Sequence, residues 1–260
     1  MGSNSRNGEQ FMDARVKEPL EQMFAAAKAD GIELVARSAY RSTQEQTTLF
    51  NSMKQDYINQ GMSEEEAFAA TKQWRNEPGT SEHETGLAVD IVGAADINAA
   101  LVESLEERDW AVWLREHAPE YGFILRYMKD KTDITGTSFE PWHYRYVGVE
   151  DAQKITAQGV CLEEYLVLLR TYTSKDRLSI QALDGKTYEV YYCAVAGDGS
   201  ISCPTNYNYT VSGTNEGGVV VTIDRSVVAN QPIYTDNAQS ATEPATVPES
   251  VSASESQTTP

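Results

Sequence analysis

Residues 79–90 read GTSEHETGLAVD, and the reading of this stretch decides the fold. The chain of 260 residues holds only three histidines, yet His83 stands here seven positions before Asp90. Ser, Thr and Gly frame it, and the apolar run Leu87 to Val92 follows, which predicts a loop entering a short strand. A second histidine, His143, lies in FEPWHYRYV at 139–147, of which WHYRYV is again strand-like. If the two segments meet, two imidazoles and a carboxylate form a metal site. If they stay apart, the chain is an acidic globule without visible chemistry.

Working outward, residues 11–30 show helical spacing, with Phe11, Val16, Leu20, Met23, Phe24 and Ala27 on one side and charges opposite. Gly31 stops that helix, and Ile32 to Ala36 reads as a strand. Thr43 starts a second helix through Asn59, and Ser63 with Glu66 forms a capping box for a third, running to about Arg75. Helical patterns return at 95–103 and 107–118. Phe123 to Met128 reads as a strand, and helices at 149–158 and 161–170 follow. The predicted class is α+β, a small antiparallel sheet flanked by helices.

After about Ser174 the texture changes. SIQAL, TYEVYYCAV, YNYTVS and GVVVTID alternate β-branched or aromatic residues with polar ones between Asp-Gly and Gly-Gly turns. This predicts an all-β module of four or five strands at 173–233, behind a first domain at 11–172. Residues 234–260 are dominated by Ser, Thr, Glu, Ala and Pro, contain no Lys or Arg, and are expected to be disordered. Residues 1–10 read as disordered, or as a sequence added ahead of the natural chain in place of a targeting or anchor segment.

The formal net charge of −18 argues against nucleic acid and against attachment to anionic lipid, both of which call for clustered Lys and Arg. No apolar run reaches the length of a membrane span. Cys193 and Cys203 flank a turn-rich link and suit either a disulfide or two reduced thiols. Cys161 reads as a buried residue at the head of an apolar helix.

Zinc favours four ligands in a tetrahedron, and catalytic sites take three from protein and leave the fourth to water. His83, Asp90 and His143 would make such a set, with Gly86 letting the loop turn back so that ligands seven apart face one ion. Glu140 precedes His143 by three, a spacing that on a regular strand points to opposite faces. Pro141 breaks that regularity, and a bend there can bring both side chains together. A carboxylate so placed serves as general base, while the metal lowers the pKa of water toward roughly 7 and polarises a carbonyl. These are the parts of amide hydrolysis. His117, in WLREHAPEYG near a helix C-terminus, suits the helix dipole and carries no role.

The pattern SxHxxGxAxD at 81–90 followed by ExWH at 140–143 resembles the VanY-type D-alanyl-D-alanine carboxypeptidases, zinc peptidases that share their core with lysostaphin-like enzymes and the hedgehog signalling domain. The likeness extends through SAYRSTQEQ (38–46), GFILRY (122–127) and TGTSFEPWHYRYVG (135–148), about residues 11–170 in all. It implies zinc held by His83, Asp90 and His143, with Glu140 as catalytic base. Arg41 matches the family arginine that contacts substrate and steadies the oxyanion, a role suited to a guanidinium's planar donors. Gln46, Ser81 and Tyr127 match positions that help hold the peptide terminus. Arg126 reads as a partner of the site's carboxylates and Trp142 as a wall or core residue.

The implied function is removal of the C-terminal D-alanine from peptidoglycan stem peptides. The alternatives are an L,D-carboxypeptidase acting on the tetrapeptide stem, or a non-catalytic wall-binding protein. The expected partner is a stem peptide ending in D-alanine, with no nucleic acid. A monomer is expected, in a bacterium, secreted or anchored to wall or membrane.

Overall fold

The computed structural model describes residues 10–228 except 184, 205, 215 and 216. Helix α1 (Ala14–Ala29) is capped by the Asp13 side chain and buries Val16, Leu20, Met23 and Ala27. Phe11, expected on that apolar side, is instead 69% exposed, because the helix begins three residues after it. Strand β1 (Leu34–Ser38) leads into α2 (Thr43–Asn59), where Ser42 and Glu45 form a capping box. The expected box of Ser63 and Glu66 starts α3 (Glu64–Lys72). This helix ends three residues short of the expected Arg75, although the Arg75 amide still bonds the Thr71 carbonyl at 2.9 Å.

Strand β2 (Ala88–Gly93) follows the His83 segment. The helix expected at 95–103 is absent: only short 3₁₀ turns form, at Ala94–Asp96 and Glu103–Glu107. Between them the Ala99 carbonyl accepts from Arg37 at 2.7 Å, so a side chain from β1 takes an acceptor that a helix would need. Then come α4 (Asp109–His117), β3 (Phe123–Leu125), the short α5 (Thr132–Thr135) and β4 (His143–Tyr146). The four strands form one antiparallel sheet in the order β1-β2-β4-β3. Its core gathers Leu20, Met23, Val35, Ile91, Trp110 and Leu114. Trp110 seats against Gly93, where an added Cβ would stand 2.5 Å from its Cδ1.

Helices α6 (Val149–Gln158) and α7 (Leu162–Leu169) lead to a second antiparallel sheet. Its strands are β5 (Leu178–Gln181), β6 (Thr187–Ala194), β7 (Tyr207–Gly213) and β8 (Gly218–Val228), in the order β5-β6-β8-β7. One apolar cluster joins Ile124 of β3, Ile155 of α6 and Tyr165 and Leu169 of α7 to Ile180, Tyr188 and Val190 of this sheet. The second sheet therefore packs onto the helices through shared core. Cys161 is buried as expected, and Cys193 and Cys203 stand as free thiols. Of the expected disordered ends, 1–9 and 234–260 lie outside the described residues. Gln10 accepts a hydrogen bond from the Ala39 amide at 2.8 Å.

Tyr165 donates to Asp151 Oδ1 at 2.7 Å between α6 and α7. Burial pushes the Asp151 carboxyl up to about 7, against the opposing hydrogen bond from Tyr165. A carboxyl raised in the folded state binds more protons folded than unfolded, so its contribution falls as pH rises from about 4 to about 7. Asp151→Asn keeps the acceptor and cannot ionise. It should be more stable than the parent by about 2 kcal/mol at pH 8, after discounting for partial exposure, and no more stable near pH 4. Urea unfolding of both proteins at the two pH values measures this; a constant difference would exclude the mechanism.

Candidate active site

Asp90 and His143 are direct partners in the β2–β4 ladder, as are Ser38 and Asp90 across β1–β2. Opposite residues on antiparallel strands project to the same face, roughly 5 Å apart at Cβ. That register brings a carboxylate and an imidazole from distant sequence positions together. His83 arrives on a 3₁₀ turn (Glu82–Thr85) closed by Gly86 at φ +71°. A side chain at Gly86 would be strained there and would also stand 2.9 Å from the Asp13 amide, which donates to the Gly86 carbonyl. The turn is stitched to the end of β1 by Arg41 N–H to His83 O, 3.2 Å.

His83 Nδ1 lies 2.7 Å from the Ala39 carbonyl, which assigns the proton to Nδ1 and leaves Nε2 bare. Nε2 faces Asp90 Oδ1 at 3.5 Å, and His143 Nδ1 approaches the same oxygen at 3.2 Å. His143 Nε2 points away, toward Glu82 Oε2 at 3.6 Å. One ligand atom from each of His83, Asp90 and His143 lies within 4.8 Å of the others, and all three residues are buried. Asp90 Oδ1 is buried without a hydrogen-bond partner. This donor set, two imidazoles and a carboxylate with lone pairs converging, fits a tetrahedral Zn²⁺ that keeps one position open.

The electrostatics agree with a cation at this point. Burial lowers His83, while for His143 burial is outweighed by Asp90 and Glu82, which push it up to about 9. Asp90 is held well below the usual carboxylate range: both imidazoles outweigh its burial.

Glu140 lies beside this trio, its Oε2 3.4 Å from His143 Nδ1. The bend at Pro141 is closed by His143 N–H to Glu140 O, 3.1 Å, which turns residues three apart to one side. Burial pushes its carboxyl up to about 8, with His143 pulling it down and Asp90 up. Arg41 donates to Gln46 Oε1 at 2.6 Å and to Ser38 Oγ at 3.0 Å. Burial lowers its pKa and Asp90 raises it. Gln46 is engaged at both ends, since its Nε2 donates to the Asn76 carbonyl at 2.6 Å. Tyr127 accepts from Asn76 Nδ2 at 3.2 Å, and its ring tilts against His143. Ser81, Gln46, Tyr127 and Trp142 all line one cavity of about 450 Å³ with the three ligand residues, Glu140 and Arg41.

Arg126 does not reach this cavity. It pairs with Glu82 at 2.9 Å and with Glu163 through two bonds, while Arg145 reaches the same Glu82 oxygen at 2.7 Å. Glu82 escaped the sequence reading, where it passed as one more charge in a polar loop. Its place directly before His83 gave no sign that its side chain would turn toward His143. His117 ends α4 beside Glu120 and Trp113, away from the site.

Residues 9–149 match the family model described as VanY, D-alanyl-D-alanine carboxypeptidase. A D-alanyl-D-alanine carboxypeptidase of Enterococcus faecalis is 46% identical over 62% of this chain and 57% of its own length. One of Enterococcus faecium is 31% identical over 82% of this chain and 61% of its own. The chain therefore spans about three fifths of the length of these two curated relatives. A mutant of the vancomycin-resistance D,D-pentapeptidase VanY in complex with Zn(II) is 44% identical over 61% of this chain and 88% of that one, TM-score 0.54. The D,D-dipeptidase VanXYg, solved with a D-Ala-D-Ala phosphinate analogue, is 31% identical over 86% of both chains, TM-score 0.71. Such coverage necessarily extends past residue 149. The LdcB LD-carboxypeptidase is 36% identical over 60% of this chain and 68% of its own, TM-score 0.53.

Proposed function

Because the chain belongs to the VanY family of D-alanyl-D-alanine carboxypeptidases, we propose that it is a zinc carboxypeptidase that removes the terminal D-alanine from peptidoglycan stem peptides. The observation that carries this reading is the convergence of His83 Nε2, Asp90 Oδ1 and His143 Nδ1 in the lining of a cavity that Glu140 and Arg41 also border. Those three residues would hold the ion, which when bound supplies Lewis acidity toward a carbonyl and acidifies water.

The chain's own groups do the rest. Glu140 takes the proton of the attacking water on its carboxylate and returns it to the leaving amine of D-alanine. Arg41 keeps N–H donors beyond those given to Gln46 and Ser38, and these meet the negative charge that develops on the scissile carbonyl oxygen. Gln46 holds Arg41 in place, a positioning role. Ser81 and Tyr127 line the cavity wall along which the peptide terminus lies. We assign residues 11–172 to the peptidase unit and 173–233 to an all-β module, whose described residues Ile180, Tyr188 and Val190 share a core with α6 and α7. Among the described residues no helix is long and apolar enough to cross a membrane. The substrate places the working enzyme outside the bacterial membrane.

Pentapeptide and tetrapeptide muropeptides incubated with the zinc-loaded protein test the reading: the pentapeptide should lose one alanine residue by mass. Loss from the tetrapeptide alone would favour L,D-cleavage, the reading that the LdcB likeness supports. No loss from either would leave the wall-binding alternative.

Glu82 supplies a further prediction. A carboxylate facing the outer nitrogen of a ligating histidine fixes its tautomer, and such partners typically contribute 10–100-fold to metal affinity. Glu82→Gln should lower zinc affinity by about that factor in chelator competition. Unchanged affinity would make the Glu82, Arg126 and Arg145 cluster purely architectural.

A further inference from the structure

Three arginines line the cavity, and one of them is explained neither by the fold nor by the reaction just described. Arg75 lies just beyond α3, and the backbone around it is fixed. Its own amide bonds the Thr71 carbonyl at 2.9 Å, and the next residue, Asn76, is gripped by Gln46 and Tyr127. Its side chain lines the same cavity as Arg41, Glu140 and the three ligand residues. Yet among the described residues the Arg75 side chain has no hydrogen bond and no ion pair, and its Nε is buried without a partner. Every other arginine that the cavity borders is engaged: Arg41 by Gln46 and Ser38, Arg37 by the Ala99 carbonyl. Arg75 is close enough to the reacting groups to draw Glu140 down and to oppose the charge on Arg41.

A partly buried cation without a counter-charge is unfavourable unless a ligand completes it. A guanidinium in particular is shaped for two parallel bonds to a carboxylate. We propose that Arg75 binds the free α-carboxylate of the substrate's terminal residue, which leaves Arg41 to the scissile carbonyl. This rests on the peptidase reading above and deepens it: Arg75 makes the enzyme act at chain ends, because only a chain end brings the anion that completes the site. Asn76, tied to Gln46 on one side and Tyr127 on the other, sets where that anion is received relative to Arg41.

Two measurements test it. Steady-state release of D-alanine from pentapeptide should show kcat/KM reduced at least about 100-fold in Arg75→Gln, mostly through KM, with zinc content unchanged. Arg75→Lys, which keeps the charge but loses the fork, should fall between, and it serves where the Gln variant folds poorly. A pentapeptide ending in D-alaninamide should be a poor substrate for the parent and equally poor for both variants. Separately, calorimetry with D-alanyl-D-alanine on zinc-loaded Glu140→Ala should show binding at least tenfold tighter than on the Glu140→Ala/Arg75→Gln double variant. Arg75-dependent binding in a parent that cleaves nothing would uphold the anion site and sink the peptidase reading. A parent that cleaves, with Arg75 variants that bind and turn over normally, would overturn Arg75 alone.

Discussion

Replacing Glu140 by alanine is expected to leave a protein that binds one zinc ion per chain and releases D-alanine at least about 10³-fold more slowly than the parent. The two effects separate because of where the side chain stands. Glu140 Oε2 is 3.4 Å from His143 Nδ1, beside the ligand trio, while its backbone closes the bend that presents His143. Alanine keeps that backbone and removes only the carboxylate. No other carboxylate among the described residues borders the cavity at this depth: Asp90 is occupied between two imidazoles, and Glu103 is exposed. Metal analysis and D-alanine release on the same preparation decide the matter. Turnover within tenfold of the parent would remove Glu140 from the proton transfers.

Asp90→Ala is expected to fail at an earlier step. Its Oδ1 is the only anionic donor of the trio, 3.5 Å from His83 Nε2 and 3.2 Å from His143 Nδ1. Without it, two neighbouring imidazoles must hold a divalent ion with no charge to neutralise it. Zinc should fall from one per chain to a small fraction after dialysis, and D-alanine release should be lost with it. A readout free of catalysis accompanies these. Added zinc stabilises any form that binds it only when folded, so it should raise the melting temperature of the parent and of Glu140→Ala but not of Asp90→Ala. A zinc-dependent rise in Asp90→Ala would show that the ion is held elsewhere.

Legibility in the sequence followed the range of the interaction. Local signals were sound: α2 spans Thr43–Asn59 as read, and Ser63 with Glu66 caps α3, because both rest on hydrogen bonds within one turn. Reading failed where a distant group claimed a backbone atom. Arg37 takes the Ala99 carbonyl from the helix expected at 95–103. Phe11 sat on the apolar side of a periodic run yet lies outside the helix and stays exposed. Within the site, Gln46 could be seen as a cavity residue, but both ends of its amide are spent on Arg41 and Asn76.

The chain alone determined which chemistry was available: two framed histidines, an aspartate seven positions after the first, and a glutamate three before the second, all set by side-chain identity and short-range punctuation. How these groups are arranged toward one another came from the folded chain. The β2–β4 register sets Asp90 opposite His143, the Ala39 carbonyl takes the outer nitrogen of His83, and Glu82 stands 3.6 Å from that of His143. Arg75 likewise lines the cavity with no ion pair among the described residues. Such facts depend on atoms brought together from distant parts of the chain, and hydrogen-bond and charge partnerships over that range leave no spacing in the sequence to read.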